Sequence, residues 1–179
     1  VNAINFREIA DSPISHHHSD IVNILHKYMP ESEVYNGNKF TMFRSREKMI
    51  QYFDVMFDMA TSGDDFWAQG VGHTSYSPNF IGRIGELIDK GVNFKFIING
   101  KSQHAKDFLY ELDKVPKLER KVAPQNTLRL FGLSNKEVII SLPYPLPPYE
   151  ALVIKDKDLV TILRNWFYKR FQELDGTTL

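Results

Sequence analysis

Hydrophobic positions along this chain repeat with two different periods, and the order of these periods predicts the fold. Apolar residues recur at helical spacing in segments around 46–62, 80–90, 103–112 and 158–174. Short apolar runs bounded by Gly, Pro, Asn or Ser predict strands at 66–72, 92–98, 127–132, 137–142 and 151–154. Strands and helices that alternate in this way predict an α/β fold, or a closely related α+β mixture, with a central mixed sheet flanked by helices.

The middle of the chain contains the clearest unit, a strand, a helix and a second strand. Residues 66–72 form the first apolar run, a helix from Phe80 closes at Gly91, and residues 92–98 form the second run. A crossover of this size predicts two parallel strands with a right-handed connection. Ligands of such sheets bind beyond the carboxyl ends of the strands, which here are residues 70–76 and 99–104.

Turn residues define the remaining elements. Asn36-Gly37 predicts a hairpin within 33–44, and residues 134–136 predict the turn of an antiparallel hairpin. We expect Asp158 to cap the last helix.

Four cations in the segment 114–121 have two interpretations, a solvated connection or a nucleic-acid patch; they are Lys114, Lys117, Arg120 and Lys121.

We expect one main domain over residues 33–179. Residues 1–32 are interpreted as an irregular lead-in that includes a short helix, from a cap at Asp20 to about Met29. This segment is a candidate linker from a further module. The chain begins with Val1 and Asn2 rather than Met, which indicates a processed chain or a fragment.

Composition excludes several classes of protein. The 179 residues carry 22 basic and 22 acidic side chains, so the net charge of zero argues against a self-sufficient DNA-binding protein. Cys is absent, and no apolar run is long enough to span a bilayer, so we expect a soluble cytoplasmic protein. The triplet His16-His17-His18 places neighbouring rings on different faces, and we expect neither a metal nor a cofactor.

Residues 40–174 resemble a phospholipase D-like domain. The resemblance rests on "GVNFKFIING", on the hairpin "NTLRLFGLSNKEVIISLP" and on "ALVIKDKDLVTILRNWFYKRFQEL", which follow one another in the family's order. The family's His-x-Lys-x4-Asp signature falls on Thr127, Arg129 and Ser134, and its later Ser falls near Ser141. None of the three signature residues is kept.

The resemblance implies a domain without the family's catalysis. The family's His attacks phosphorus, and a Thr hydroxyl without an adjacent base does not replace it. Arg129 can still bind a phosphate or carboxylate. Among domains that lack the signature, the chain is most similar to effector domains of archaeal TrmB-like transcription regulators, which sense a small molecule, often a sugar, and dimerise. In those regulators a winged helix-turn-helix binds DNA, and residues 1–40 show no complete one.

The sequence thus predicts a non-catalytic, ligand-sensing, homodimeric domain of a transcription regulator. Its effector is a sugar or an anion, DNA binding belongs to a separate module, and no membrane is involved. Two alternatives remain: a divergent phosphodiesterase or nuclease that uses His73 or another His in place of the missing nucleophile, and a protein-interaction module built on residues 143–149 and the last helix. The candidate ligand-binding residues are His73, Tyr76, Asn99, Thr127, Arg129 and Ser141.

Several of these candidates also have an ordinary structural explanation. His73 suits a surface loop, Asn99-Gly100 suits a turn, and Arg129 suits an ion pair at the edge of the core. Trp67 and Trp166 lie within apolar segments, so we expect core positions for both rather than a sugar-stacking role.

Overall fold

A computed structural model of the chain describes residues 39–43, 46–71, 79–100, 103–123, 128–141 and 151–174. Within these ranges helices and strands follow one another as the hydrophobic pattern predicts, with one additional strand between the third helix and the hairpin. In chain order the elements are β1 (Phe40–Phe43), α1 (Arg46–Met59), β2 (Asp65–Val71), α2 (Phe80–Asp89), β3 (Asn93–Asn99), α3 (Gln103–Leu112), β4 (Glu119–Ala123), β5 (Arg129–Leu133), β6 (Glu137–Ser141), β7 (Ala151–Ile154) and α4 (Lys157–Glu173).

The strands of the described residues form one seven-stranded mixed sheet in the order β1-β7-β6-β5-β2-β3-β4. β2, β3 and β4 are parallel, and the predicted parallel crossover is confirmed. On the other side of β2, the strands β5, β6, β7 and β1 pair antiparallel in succession. The predicted fold class is therefore confirmed: the described residues form a single α/β domain with a mixed central sheet and helices on both faces.

Two apolar clusters lie on opposite faces of the sheet. α1, α2 and α3 cover the first face, where phenylalanines from both layers meet edge to face; Phe57 packs in this way on Phe66. α4 covers the second face, where Phe167 packs against the fully buried Trp67. The core position of Trp67 is confirmed, whereas Trp166 is half-buried at the margin of the second cluster.

Gly132 explains how so large a ring fits within the sheet. Trp67 and Gly132 are paired across β2 and β5, and a Cβ on Gly132 would overlap the indole of Trp67. The indole NH donates to the carbonyl of Ser134 at 3.1 Å, so the buried polar atom is satisfied. The ring therefore lies across the β5–β6 hairpin and fixes it to β2.

Two local predictions were wrong. The cationic segment is not only a connection, because Glu119–Ala123 form β4, which pairs along β3 as an edge strand. The cap of α4 is Asp156 rather than Asp158, since the Asp156 carboxylate accepts from the backbone N–H groups of Asp158 and Leu159.

Other predictions lie outside the described residues: the helix near residues 20–29, the strand before Asn36, the loop 73–78 and the proline segment 143–149. β1, predicted as the second strand of the first hairpin, is present and pairs with β7. No helix in the described part of the chain combines the length and the apolar character that crossing a bilayer requires.

Candidate ligand site at the carboxyl edge of the sheet

One edge of the sheet gathers most of the predicted site residues that the structure describes. We call it the carboxyl edge: β2, β3 and β6 end there, and β5 and β7 begin there. Gly70, Asn99, Arg129 and Ser141 all lie on this edge. Strand ends leave backbone groups without ladder partners, so this edge combines fixed side chains with free polar groups.

Arg129 and Ser141 are brought together by the β5–β6 hairpin. They are direct partners in the antiparallel register, so their side chains leave the same face of the sheet. Phe131 and Ile139, two residues further along each strand, belong to the cluster under α1–α3, which identifies that face. The side chains of Arg129 and Ser141 thus start from paired positions on the first face, at the carboxyl edge.

Arg129 is a half-buried cation without a counter-ion among the described residues. The sequence also suggested that Arg129 forms an ion pair at the edge of the core, but no carboxylate in that part of the chain pairs with it. Ser141 beside it is 5% exposed. Since a partly desolvated guanidinium is stabilised by a bidentate acceptor, this pair of side chains suits a phosphate or carboxylate group.

Gly70 shapes the neighbouring end of β2. The β2–β3 register slips between Gln69 and Val71, and Gly70 adopts φ of +76°, so this residue forms a β-bulge. Gln69 is 3% exposed; its Nε2 lies 3.5 Å from the carbonyl of Leu128, and its Oε1 has no hydrogen-bond partner among the described residues. Gly70-Val71-Gly72 appeared in the sequence only as a strand end, and the pattern contained no signal for a bulge.

Among the other predicted site residues, Asn99 lies apart from this pair in the sheet. Asn99 ends β3, two strands from β5, which corresponds to about 10 Å across the sheet. His73, Tyr76 and Thr127 lie outside the described residues. Within the described part of the chain, no group of three His, Cys, Asp or Glu side chains is arranged to hold a metal ion.

Ser134, which the resemblance places at the signature's Asp, lies at the opposite edge of the sheet. Its N–H donates to the carbonyl of Asp65 at 2.7 Å, and its hydroxyl donates to Asp64 Oδ1 at 2.8 Å. Because Arg129 begins β5 and Ser134 follows the last residue of that strand, the length of β5 separates the two, and Ser134 cannot contact a ligand bound at Arg129. Ser134 instead fastens the β5–β6 turn to the start of β2.

The two aspartates at the start of β2 are satisfied by several partners. Although burial raises the pKa of Asp64, hydrogen bonds from Lys136, Thr61 and Ser134 lower it to about 2. Asp65 accepts two hydrogen bonds from Arg164, at 3.2 and 3.0 Å, and one from Tyr168 at 2.7 Å. These contacts anchor α4 and the β5–β6 turn, so the cluster is structural.

A further buried carboxylate, that of Glu137, lies at the edge of the sheet opposite the carboxyl edge, where Ser134 also lies. Glu137 is 2% exposed; Tyr52 donates to its Oε2 at 2.8 Å, and the Lys155 ammonium is 3.7 Å from that oxygen. Burial and the neighbouring Glu137 raise the pKa of Tyr52, which keeps the phenol protonated as a donor. A phenol held in its neutral form is not an activated nucleophile, so this triad supports no covalent catalysis.

Most cations of the predicted basic patch are already paired. The pairs along α3 and β4 are Lys114 with Glu111, Arg120 with Asp113, Lys95 with Glu119 and Lys121 with the carbonyl of Leu174. Because Lys114 and Arg120 are each paired with a carboxylate, the solvated interpretation of these cations suits the structure better than a nucleic-acid patch.

Comparisons with known proteins support the fold alone. No protein-family model matches the sequence, and no curated protein matches it significantly. Among solved structures, TrmBL2, described as an archaeal chromatin protein with a novel mode of DNA binding, is 16% identical with a TM-score of 0.61, over 89% of this chain and 60% of its own. NucT from Helicobacter pylori is 12% identical with a TM-score of 0.62, over 78% of this chain and 99% of its own. Both likenesses are consistent with the phospholipase D-like, TrmB-like fold that the sequence resembles.

Proposed function

We propose that this chain is a non-catalytic, ligand-sensing and dimerising domain of a transcription regulator, and that its effector carries an anionic group. The observation that carries the proposal is the half-buried Arg129 beside Ser141, which has no counter-ion among the described residues. The sequence places Thr127, Arg129 and Ser134 where the resembling family has its catalytic signature. Arg129 can still bind an anion at this position, whereas Thr127 replaces the family's nucleophilic His.

The proposed mechanism is a shift between two arrangements of subunits. An effector that binds one arrangement more tightly shifts the population by its difference in affinity, and a few kcal/mol suffices to alter the DNA affinity of attached modules. The fold likeness to TrmBL2, a protein whose description states DNA binding, is compatible with such a role. We assign DNA contact to a separate module rather than to this domain.

The first test is a thermal-shift screen followed by calorimetry. Probes are inorganic phosphate, sugar phosphates, nucleotides, small carboxylates and neutral sugars at millimolar concentration. A ligand specific for the folded state raises stability by RT ln(1 + [L]/Kd), so an anionic probe at 100 times its Kd adds about 2.7 kcal/mol. Arg129→Ala should abolish the shift, whereas Lys90→Ala, which removes an exposed cation after α2, should retain it.

Two results would overturn the proposal. If neutral sugars raise the thermal stability of the wild type and of Arg129→Ala equally, the effector is not an anion and Arg129 does not bind it. Hydrolysis of a chromogenic phosphodiester that disappears in His73→Ala would make the domain a divergent phosphodiesterase instead.

A further inference from the structure

At the carboxyl edge, the backbone of Gly70 lies so close to the start of β5 that a side chain at this position would collide with it. A Cβ built on Gly70 would lie 2.8 Å from the carbonyl oxygen of Leu128, 3.0 Å from Cγ of Arg129 and 3.3 Å from its Cα. Real Cβ atoms do not approach another atom at 2.8 Å without displacement of one partner. The start of β5 and the stem of Arg129 therefore occupy the space above the Gly70 α-carbon.

Two independent features reserve this position for glycine. The φ of +76° lies in the left-handed region, which favours glycine over residues with a Cβ. The contact with Leu128 is with backbone, which cannot rotate away as a flexible side chain can. A β-bulge by itself requires only the first feature and not the second.

We propose that Gly70 is a positioning residue for Arg129: the missing Cβ lets the Arg129 stem lie against the β2 backbone and so aims its guanidinium at the ligand beside Ser141. The inference deepens the proposed function and rests on it for the role of Arg129 in binding. An arginine side chain has several rotatable bonds, and a stem fixed against backbone reduces the conformational freedom lost when its head binds.

The structure offers a matched control for the glycine. Gly63 adopts φ of +88°, between α1 and β2, and apart from its chain neighbours no atom of the described residues lies within 4 Å of a Cβ built on it. Gly63→Ala therefore introduces similar backbone strain without a contact at Arg129. Gly70→Asn and Gly63→Asn form a second pair in which the backbone strain is smaller, because Asn tolerates the left-handed region, while the Cβ remains.

The experiment measures Arg129 in two ways. The first is the rate at which phenylglyoxal modifies Arg129, followed by peptide mass spectrometry on the folded protein. The second is the Kd for inorganic phosphate by calorimetry. In Gly70→Ala or Gly70→Asn we expect faster modification of Arg129 and phosphate binding weakened by about tenfold, since displacing a binding group by about 1 Å has effects of this order or more. Both Gly63 variants should resemble the wild type.

The outcomes separate this inference from the proposed function. Unchanged modification in a folded Gly70 variant, or equal changes in the Gly70 and Gly63 variants, would overturn the positioning role. If phosphate binds no variant and does not protect wild-type Arg129 from phenylglyoxal, the proposed anion site fails, while the modification rates still decide whether Gly70 positions Arg129.

Discussion

Asp64 shows how one residue before a strand joins two segments, the loop that leads into β2 and the β5–β6 turn. Its carboxylate accepts from Lys136 at 2.6 Å, from the backbone of Thr61 at 2.8 Å and from Ser134 at 2.8 Å. Each donor stabilises the ionised carboxylate, which is why its pKa falls to about 2 in spite of burial. The ordinary value, 3.8, applies once the chain unfolds and the donors are lost.

This pKa predicts how stability changes with pH. A carboxylate with a lowered pKa in the folded state stabilises the protein above the unfolded value, and that contribution disappears as the pH falls from about 4 to about 2. At neutral pH the difference is worth about 2 kcal/mol, because each pKa unit corresponds to about 1.4 kcal/mol. Urea unfolding at pH 6 and pH 2.5 should show the wild type more stable than Asp64→Asn at pH 6, by an amount that shrinks in acid.

Asp89→Asn is the control for this prediction. Asp89 is exposed at the end of α2, and no hydrogen bond to its carboxylate is found among the described residues. Its substitution should leave the free energy of unfolding close to that of the wild type at both pH values. A constant gap between wild type and Asp64→Asn across this pH range would contradict the assigned pKa.

At the scale of elements, β4 is the instructive case. Its residues are mostly charged, with an exposed start and a buried end at Ala123. Charged side chains on an edge strand also discourage pairing with another chain. The ion pairs with α3 and β3 hold this edge in place and leave its cations compensated.

These pairs predict that the domain by itself binds DNA weakly. With a net charge of zero and the β4 cations engaged, fluorescence anisotropy with a 30-base-pair duplex at physiological salt should give a Kd no tighter than about 10⁻⁴ M, the weak end of nonspecific binding. The double variant Glu111→Gln with Asp113→Asn frees Lys114 and Arg120 and should increase the affinity and its salt dependence.

The matched control removes two negative charges elsewhere. Glu86 and Asp89 are exposed on α2, so Glu86→Gln with Asp89→Asn changes the net charge equally without freeing a β4 cation. Tight, salt-dependent binding by the wild type that is lost in Arg120→Ala would show that β4 is a nucleic-acid surface after all.

At the scale of the whole molecule, the carboxyl edge holds one Arg129–Ser141 pair per chain. The effector domains that the sequence resembles dimerise, so we expect a symmetric dimer with the two carboxyl edges near the two-fold axis. Sedimentation equilibrium should give about twice the 20.8 kDa of one chain. A mass of one chain at all concentrations, with and without a bound anion, would contradict the dimer.

Apart from β4, the order and type of the described elements follow from the local pattern of the sequence. Hydrophobic periodicity is a local property, and α3 was predicted over the residues it occupies because its apolar positions recur along one helix face. The hairpin of β5 and β6 and its turn were equally readable from residues 127–142. The face shared by Thr127 and Arg129 followed from the period of two within a strand, although Thr127 lies outside the described residues.

Tertiary structure alone decided the features that depend on contacts distant in sequence. Glu119–Ala123 became a strand because β3 offered an unpaired edge, which no pattern within five charged and apolar residues reveals. Either aspartate could have capped α4, and the chain path after β7 selected Asp156. Gly70 meets Leu128 and Arg129 only after folding, since 58 residues separate the contact along the chain, and backbone packing at that contact sets the direction of the arginine.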